Sequence, residues 1–155
     1  MRIKKLAAPV GAAAVMFSIA AGTVVPASAA NNIKPFGTQE TLRDGVVETG
    51  YTVAGLSPST DTIPYQVNGR LYESTVTVEA VQGWANPVIP FFNARAESGQ
   101  NYRVLANVWT PPGVSGAAVP QGGQSSGKIY FDVVGDVPNS VVYNDGVQDL
   151  MVWVP

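Results

Sequence analysis

Between positions 70 and 83 the chain reads RLYESTVTVEAVQG, and its apolar and polar residues alternate. Tyr72, Ser74, Val76, Val78 and Ala80 share one side, while Leu71, Glu73, Thr75, Thr77, Glu79 and Val81 share the other. A period of two is that of a strand packed on one face and wet on the other. Shorter runs of β-branched and aromatic residues bounded by turn formers predict further strands. They cover residues 36–43, closed by Asp44-Gly45, then 46–56, ended by Ser57-Pro58, and 88–95 and 101–109 around Ala96-Glu-Ser-Gly-Gln100. Residues 128–135 follow, with Ile129, Phe131 and Val133 on one side, and then 140–143 and 147–154 on either side of Asn144-Asp-Gly146. Asn, Asp and Gly tolerate positive φ cheaply, so that last link signals a hairpin. The run 147–154 is apolar on both faces and is expected inside a sheet.

Helical signals are almost missing, because sixteen glycines and twelve prolines are scattered along the chain. Seven or eight short strands with no room for crossover helices imply an all-β fold, an antiparallel two-sheet β-sandwich of immunoglobulin-like topology. The Cys…Trp…Cys hallmark of antibody domains is not part of this inference, since the chain has no cysteine.

The amino end follows different rules. Met1-Arg-Ile-Lys-Lys5 is a short basic head, residues 6–25 are apolar and rich in alanine, and Ala27-Ser-Ala29 offers a small-residue cleavage site. That order is a secretory signal peptide. Residues 1–29 are therefore expected to be removed, leaving a single domain over residues 30–155 that is secreted, extracellular and free of membrane. The leader has no cysteine to carry a lipid. Arg2, Lys4 and Lys5 leave with it, so six basic residues face eleven acidic ones, a net charge of −5. Such a balance disfavours nucleic acid, which needs a basic face. Without disulfides the core alone must hold the fold, which a chain of this length can do.

One stretch advertises chemistry. Gly122-Gly-Gln-Ser-Ser-Gly-Lys128 fits a nucleotide-binding loop, a serine-hydrolase elbow and an S-x-x-K nucleophile, depending on where reading starts. The first two need a strand before and a helix after, yet Ile129-Tyr-Phe-Asp-Val-Val is strand-like. The elbow also needs a general base, normally histidine, and the chain contains none. Ser and Lys three apart in extended chain point to opposite faces. The stretch is expected to be a flexible loop entering a strand, and no catalytic residue is assigned.

With neither His nor Cys, any metal site must be built from oxygen. Asp145 with Asp149, or Asp132 with Asp136, could serve calcium, but neither pair has a calcium-loop spacing and both read as turn carboxylates. No cofactor is expected. Two carboxylates facing each other across a cleft would be needed for glycoside hydrolysis, and sequence alone does not pair them. Residues 84–92, WANPVIPFF, are the most apolar irregular stretch. Trp84, Phe91 and Phe92 either form an exposed recognition patch or cap one end of the core.

Longer blocks carry a more specific likeness. Phe92-Asn-Ala-Arg-Ala-Glu-Ser-Gly-Gln-Asn-Tyr-Arg-Val-Leu105, Val119-Pro-Gln-Gly122, Gln124-Ser-Ser-Gly-Lys-Ile-Tyr-Phe-Asp-Val133, Asn144-Asp-Gly-Val-Gln-Asp-Leu150 and the Trp153-Val-Pro155 end resemble the mycobacterial secreted immunogenic proteins of the MPT/MPB antigen type. The resemblance implies an immunoglobulin-like sandwich released into the medium and recognised as an antigen. It assigns no biochemical role and no site residue. The expected function is a non-enzymatic interaction module toward a protein or glycan of host or cell surface, with self-associating envelope protein and carboxylate-dependent hydrolase as alternatives. The oligomeric state stays open.

Overall fold

The computed structural model describes residues 32–155; the expected leader and its cleavage point lie outside them. Ten strands occur in those residues: β1 (Ile33–Pro35), β2 (Gln39–Asp44), β3 (Val47–Val53), β4 (Ser57–Pro58), β5 (Arg70–Gln82), β6 (Phe92–Ala96), β7 (Asn101–Arg103), β8 (Gln124–Val133), β9 (Pro138–Asn144) and β10 (Asp149–Val154). They make two five-stranded sheets. One has the order β1-β10-β9-β6-β7. In the other, β5 is central, with β3 and β4 along one side, β2 beyond β3, and β8 along the other side. Neighbours are antiparallel except β1 and β10, which run parallel with Ile33 opposite Val152. The two-sheet sandwich expected from strand count is the observed architecture.

The alternation of residues 70–83 becomes β5, and Tyr72, Ser74, Val76, Val78 and Ala80 are all buried. Its other face is less wet than the pattern suggests. Residues 59–69 fold back over it, so that Leu71 and the neighbouring Tyr130 are also buried. The doubly apolar run near the end becomes β10, an interior strand between β1 and β9. Trp153 on β10 is fully buried and donates its indole N–H to the Thr38 carbonyl at 2.9 Å. The ring centroids of Tyr51, Phe92 and Tyr143 lie 4.9–6.1 Å apart around the same core. Full burial of each such side chain contributes about 1.5–3 kcal/mol, and no disulfide shares the task.

Four expectations change. The predicted strand 88–95 begins only at Phe92, because Ile89–Phe91, with Pro90 among them, make a 3₁₀ turn. The predicted strand 36–43 begins only at Gln39, because Gly37 takes a positive φ of 85° in a turn that carries the chain from one sheet to the other. The predicted strand 101–109 stops at Arg103. Val104 still donates to the Phe92 carbonyl, but Leu105 donates to Tyr130, so the chain crosses to the edge of β8. Gly122-Gly-Gln-Ser-Ser-Gly-Lys128 is not a flexible loop. A turn at Gly122 and Gly123 leads straight into β8, where Gln124 pairs with Glu79 and Lys128 with Thr75. No helix follows Lys128, so the strand-to-helix readings have no scaffold.

One carboxyl stands apart. Glu40 on β2 is 7% exposed, and one of its oxygens has no hydrogen-bond partner. Burial pushes its pKa up to about 7, with Lys34 and the Val152 backbone opposing the rise.

Candidate binding cleft

The apolar stretch 84–92 bridges the sheets. Beyond β5, Ala85 and Val119 exchange backbone hydrogen bonds of 2.9 and 2.8 Å. Residues 86–88 then cross the end of the sandwich, and Ile89–Phe91 make one 3₁₀ turn before β6. Pro90 suits that first turn because its φ is already set and its missing N–H is not needed there. The Phe91 N–H donates to the Val88 carbonyl at 3.0 Å.

The aromatic candidates separate accordingly. Trp84 is 61% exposed and Phe91 is half-buried. Phe92 is 0% exposed, which removes it from any surface patch and places it in the core. Its inward direction follows from strand alternation in β6. Trp84 and Phe91 together line a groove of about 220 Å³ with Leu42, Val47 and Tyr143.

The larger opening lies on the opposite side of residues 86–90 and has a volume of about 630 Å³. Val88, Ile89 and Pro90 form one wall; Leu105, Val108, Trp109 and Val114 form the other, with Ile129 between them. The second wall is a loop fastened to the outer edge of β8. Leu105 donates to the Tyr130 carbonyl at 2.8 Å, Lys128 to Pro112 at 2.6 Å and Val114 to Lys128 at 3.0 Å. Gly127 lets this loop approach. A Cβ there would sit 2.5 Å from the Gly113 carbonyl carbon and nearer still to the Val114 nitrogen.

Trp109 stands at the mouth, 81% exposed. Beside it Thr110 is 6% exposed, and its hydroxyl has no hydrogen-bond partner. That hydroxyl is near enough to the Tyr130 phenol to affect its titration, but no bond of normal length and angle joins them. A buried hydroxyl left without a partner costs about 1–3 kcal/mol. Sequence reasoning placed Trp109 at the end of a strand and passed over Thr110. The signal that would have found both is Pro111-Pro112-Gly113, which ends extended pairing immediately after them.

Behind the cleft, charges are paired. The Lys128 ammonium lies 2.7 Å from Asp61 and 3.0 Å from Glu73. Tyr130 donates to Asp61 at 2.6 Å, and Ser59 donates to Glu73. The hydrogen bond from Asp61, then that from Glu73, raises the Lys128 pKa well above the ordinary lysine range. Lys128 and then Tyr130 lower that of Asp61. Burial, then Asp61, pushes Tyr130 up to about 12. A lysine held protonated this way cannot act as the base of an S-x-x-K pair. Asp61 and Glu73 do approach each other, but they share one ammonium and do not face an open bond-cleaving gap. The four aspartates weighed as calcium ligands are each engaged within the protein. Asp145 accepts the N–H groups of Val147 and Gln148 at 2.8 and 2.9 Å, and Asp149 accepts two bonds from Arg95 at 2.6 and 3.0 Å. Asp132 accepts from Asn68 and Gly69, both at 2.9 Å, and Asp136 from Ser98 at 2.6 Å. Among the described residues no group of three potential metal ligands gathers.

These features define an immunoglobulin-like β-sandwich with a cleft of about 630 Å³ where the loops joining its sheets meet the edge of β8. The chain belongs to the family described as Domain of unknown function (DUF1942), matched over residues 31–153. It is 47% identical over 122 residues to immunogenic protein MPB63 of Mycobacterium bovis and to immunogenic protein MPT63 of Mycobacterium tuberculosis, covering 77% of this chain and 77% of each relative. The crystal structure of MPT63, a secreted protein of Mycobacterium tuberculosis, superposes with a TM-score of 0.76 at 45% identity, covering 79% of this chain and 96% of that one.

Proposed function

We propose that the protein is a secreted, non-enzymatic binding module, released as a single domain over residues 30–155, that takes its ligand in the cleft between residues 86–90 and 105–116. The observation that carries the reading is the cleft itself: about 630 Å³, lined by apolar side chains such as Val88, Leu105 and Val114 interspersed with polar ones such as Asn86, Asn107 and Ser115, with a tryptophan left 81% exposed beside them. Its volume falls within the ~300–1,000 Å³ of small-molecule sites. An indole so placed loses water contact favourably only when something covers it. The paired state of Lys128, Asp61 and Glu73 favours recognition over turnover. The immunogenic naming of relatives at 47% identity supports an antigenic role for this chain also.

The test is a fragment screen on the ¹⁵N-labelled protein. Hits are expected to shift amide signals of residues 86–90 and 105–116 together with the Trp109 indole. Hits that cluster elsewhere, or a screen with none, would count against the cleft.

A further inference from the structure

We infer that the cleft selects an uncharged molecule with an apolar body and a hydrogen-bonding group, and that the Thr110 hydroxyl receives that group. The inference rests on the proposed cleft and names what enters it. Charge is the first selector. Lys128 is the one charged side chain among the cleft's lining residues, and its ammonium is already shared by Asp61 at 2.7 Å and Glu73 at 3.0 Å. An anion would have to compete with two carboxylates fixed in place. A cation gains nothing either, because those carboxylates are occupied by Lys128, Tyr130 and Ser59. Desolvating an ion without a partner is far costlier than desolvating a neutral group, so a lining whose one charge is already paired disfavours both signs.

Polarity is the second selector. Thr110 is 94% buried by its 6% exposure, lines the cleft, and makes no hydrogen bond through its hydroxyl. Buried polar side chains are nearly always satisfied, so an exception calls for a missing partner. No hydrogen bond of normal geometry holds this hydroxyl, so a ligand group that reaches it breaks none. It can donate or accept, which suits a ligand hydroxyl or carbonyl equally. Trp109 is the third selector: its open face offers stacking area to a flat ring.

The experiment is calorimetric titration of the purified protein with four matched probes: 2-naphthol, 2-methylnaphthalene, 2-naphthoate and 2-naphthylmethylammonium. The naphthol is expected to bind at least tenfold tighter than either ion. Thr110→Val should weaken naphthol about five- to tenfold and leave methylnaphthalene within twofold, while Trp109→Ala should weaken both. An ion that binds as tightly as naphthol, or a Thr110→Val protein indifferent to the hydroxyl, overturns the ligand class while leaving the cleft in place. No binding by any probe, with amides of residues 105–116 unmoved, overturns the cleft and this inference together. Should Thr110→Val fail to fold, the charge selectivity of the unaltered protein and of Thr110→Ser still decides, because serine keeps the hydroxyl.

Discussion

Alanine at position 127 probes the contact that holds the cleft's second wall against the sheet. Gly127 lies mid-strand in β8, opposite Val76, where a side chain would ordinarily help: glycine in a strand is worse than alanine by roughly 0.5–1 kcal/mol. Here the added methyl would lie 2.5 Å from the Gly113 carbonyl carbon, against backbone that no rotamer change can clear. The loop must retreat, and two hydrogen bonds go with it, Val114 to Lys128 at 3.0 Å and Lys128 to Pro112 at 2.6 Å. At about 1 kcal/mol each they outweigh the propensity gain, and overpacking adds to the loss. A net destabilisation of about 1–3 kcal/mol follows. For a domain of this size that lowers Tm by about 4–10 °C. Circular dichroism melts give the stability, and amide exchange at Val114 and Lys128 reports whether the two bonds opened. Ser126→Ala next door is the control, since exposed Ser126 bonds only Thr77 at 2.9 Å and should stay within about 0.5 kcal/mol. A Gly127→Ala protein that melts within about 1 °C of the parent and keeps both amides protected refutes the close approach.

Other outcomes follow from the core and the amino end. Phe92→Ala removes a fully buried ring from between Tyr51, Tyr143 and Trp153 and should cost about 3–5 kcal/mol in urea unfolding; a cost under ~1 kcal/mol would place the ring outside the core. Glu40→Gln should show a pH-dependent effect. The folded-state pKa of about 7 lies above the ordinary 4.5, so the native state holds the proton more tightly than the unfolded chain does. Its contribution is thus fully present below about pH 4.5 and is lost as pH rises through 7. The variant, which cannot ionise, should gain about 1–3 kcal/mol over the parent at pH 8 and little at pH 4.5; equal gains at both would refute the buried charge. Amino-terminal sequencing of the exported protein should begin at Ala30, and an intact Met1 in the medium would rule out cleavage.

Much of the sheet framework was legible because strand periodicity is local. The alternation of residues 70–83 and the doubly apolar run near the end identified β5 and β10 and their burial without reference to anything distant. The chemical motifs at 122–128 were dismissible for the same reason, since a β-strand after Lys128 contradicts every reading that needs a helix. What failed was whatever depended on a neighbour far along the chain. The run 101–109 looks extended, and it is, but Leu105 pairs with Tyr130 and leaves its own sheet after three residues. Gly127 read as loop glycine; its reason is Val114 and Gly113, brought alongside by the crossing loop.

The candidate patch shows the same division. Composition marked WANPVIPFF as the place to look, and that stretch does stand between the two clefts. Period two within β6 sends Phe92 inward, yet nothing local says that Trp84 stays in water or that Trp109, from another segment, lines the same cleft as Val88. The amino-acid sequence by itself determined the all-β class, the strands of the core and the absence of histidine- or cysteine-based chemistry, because those depend on residue type and short spacing. Only the tertiary structure decided which aromatic side chains are exposed, which ions cancel and where a cavity opens, because each depends on surfaces that meet only after the two sheets have closed on one another.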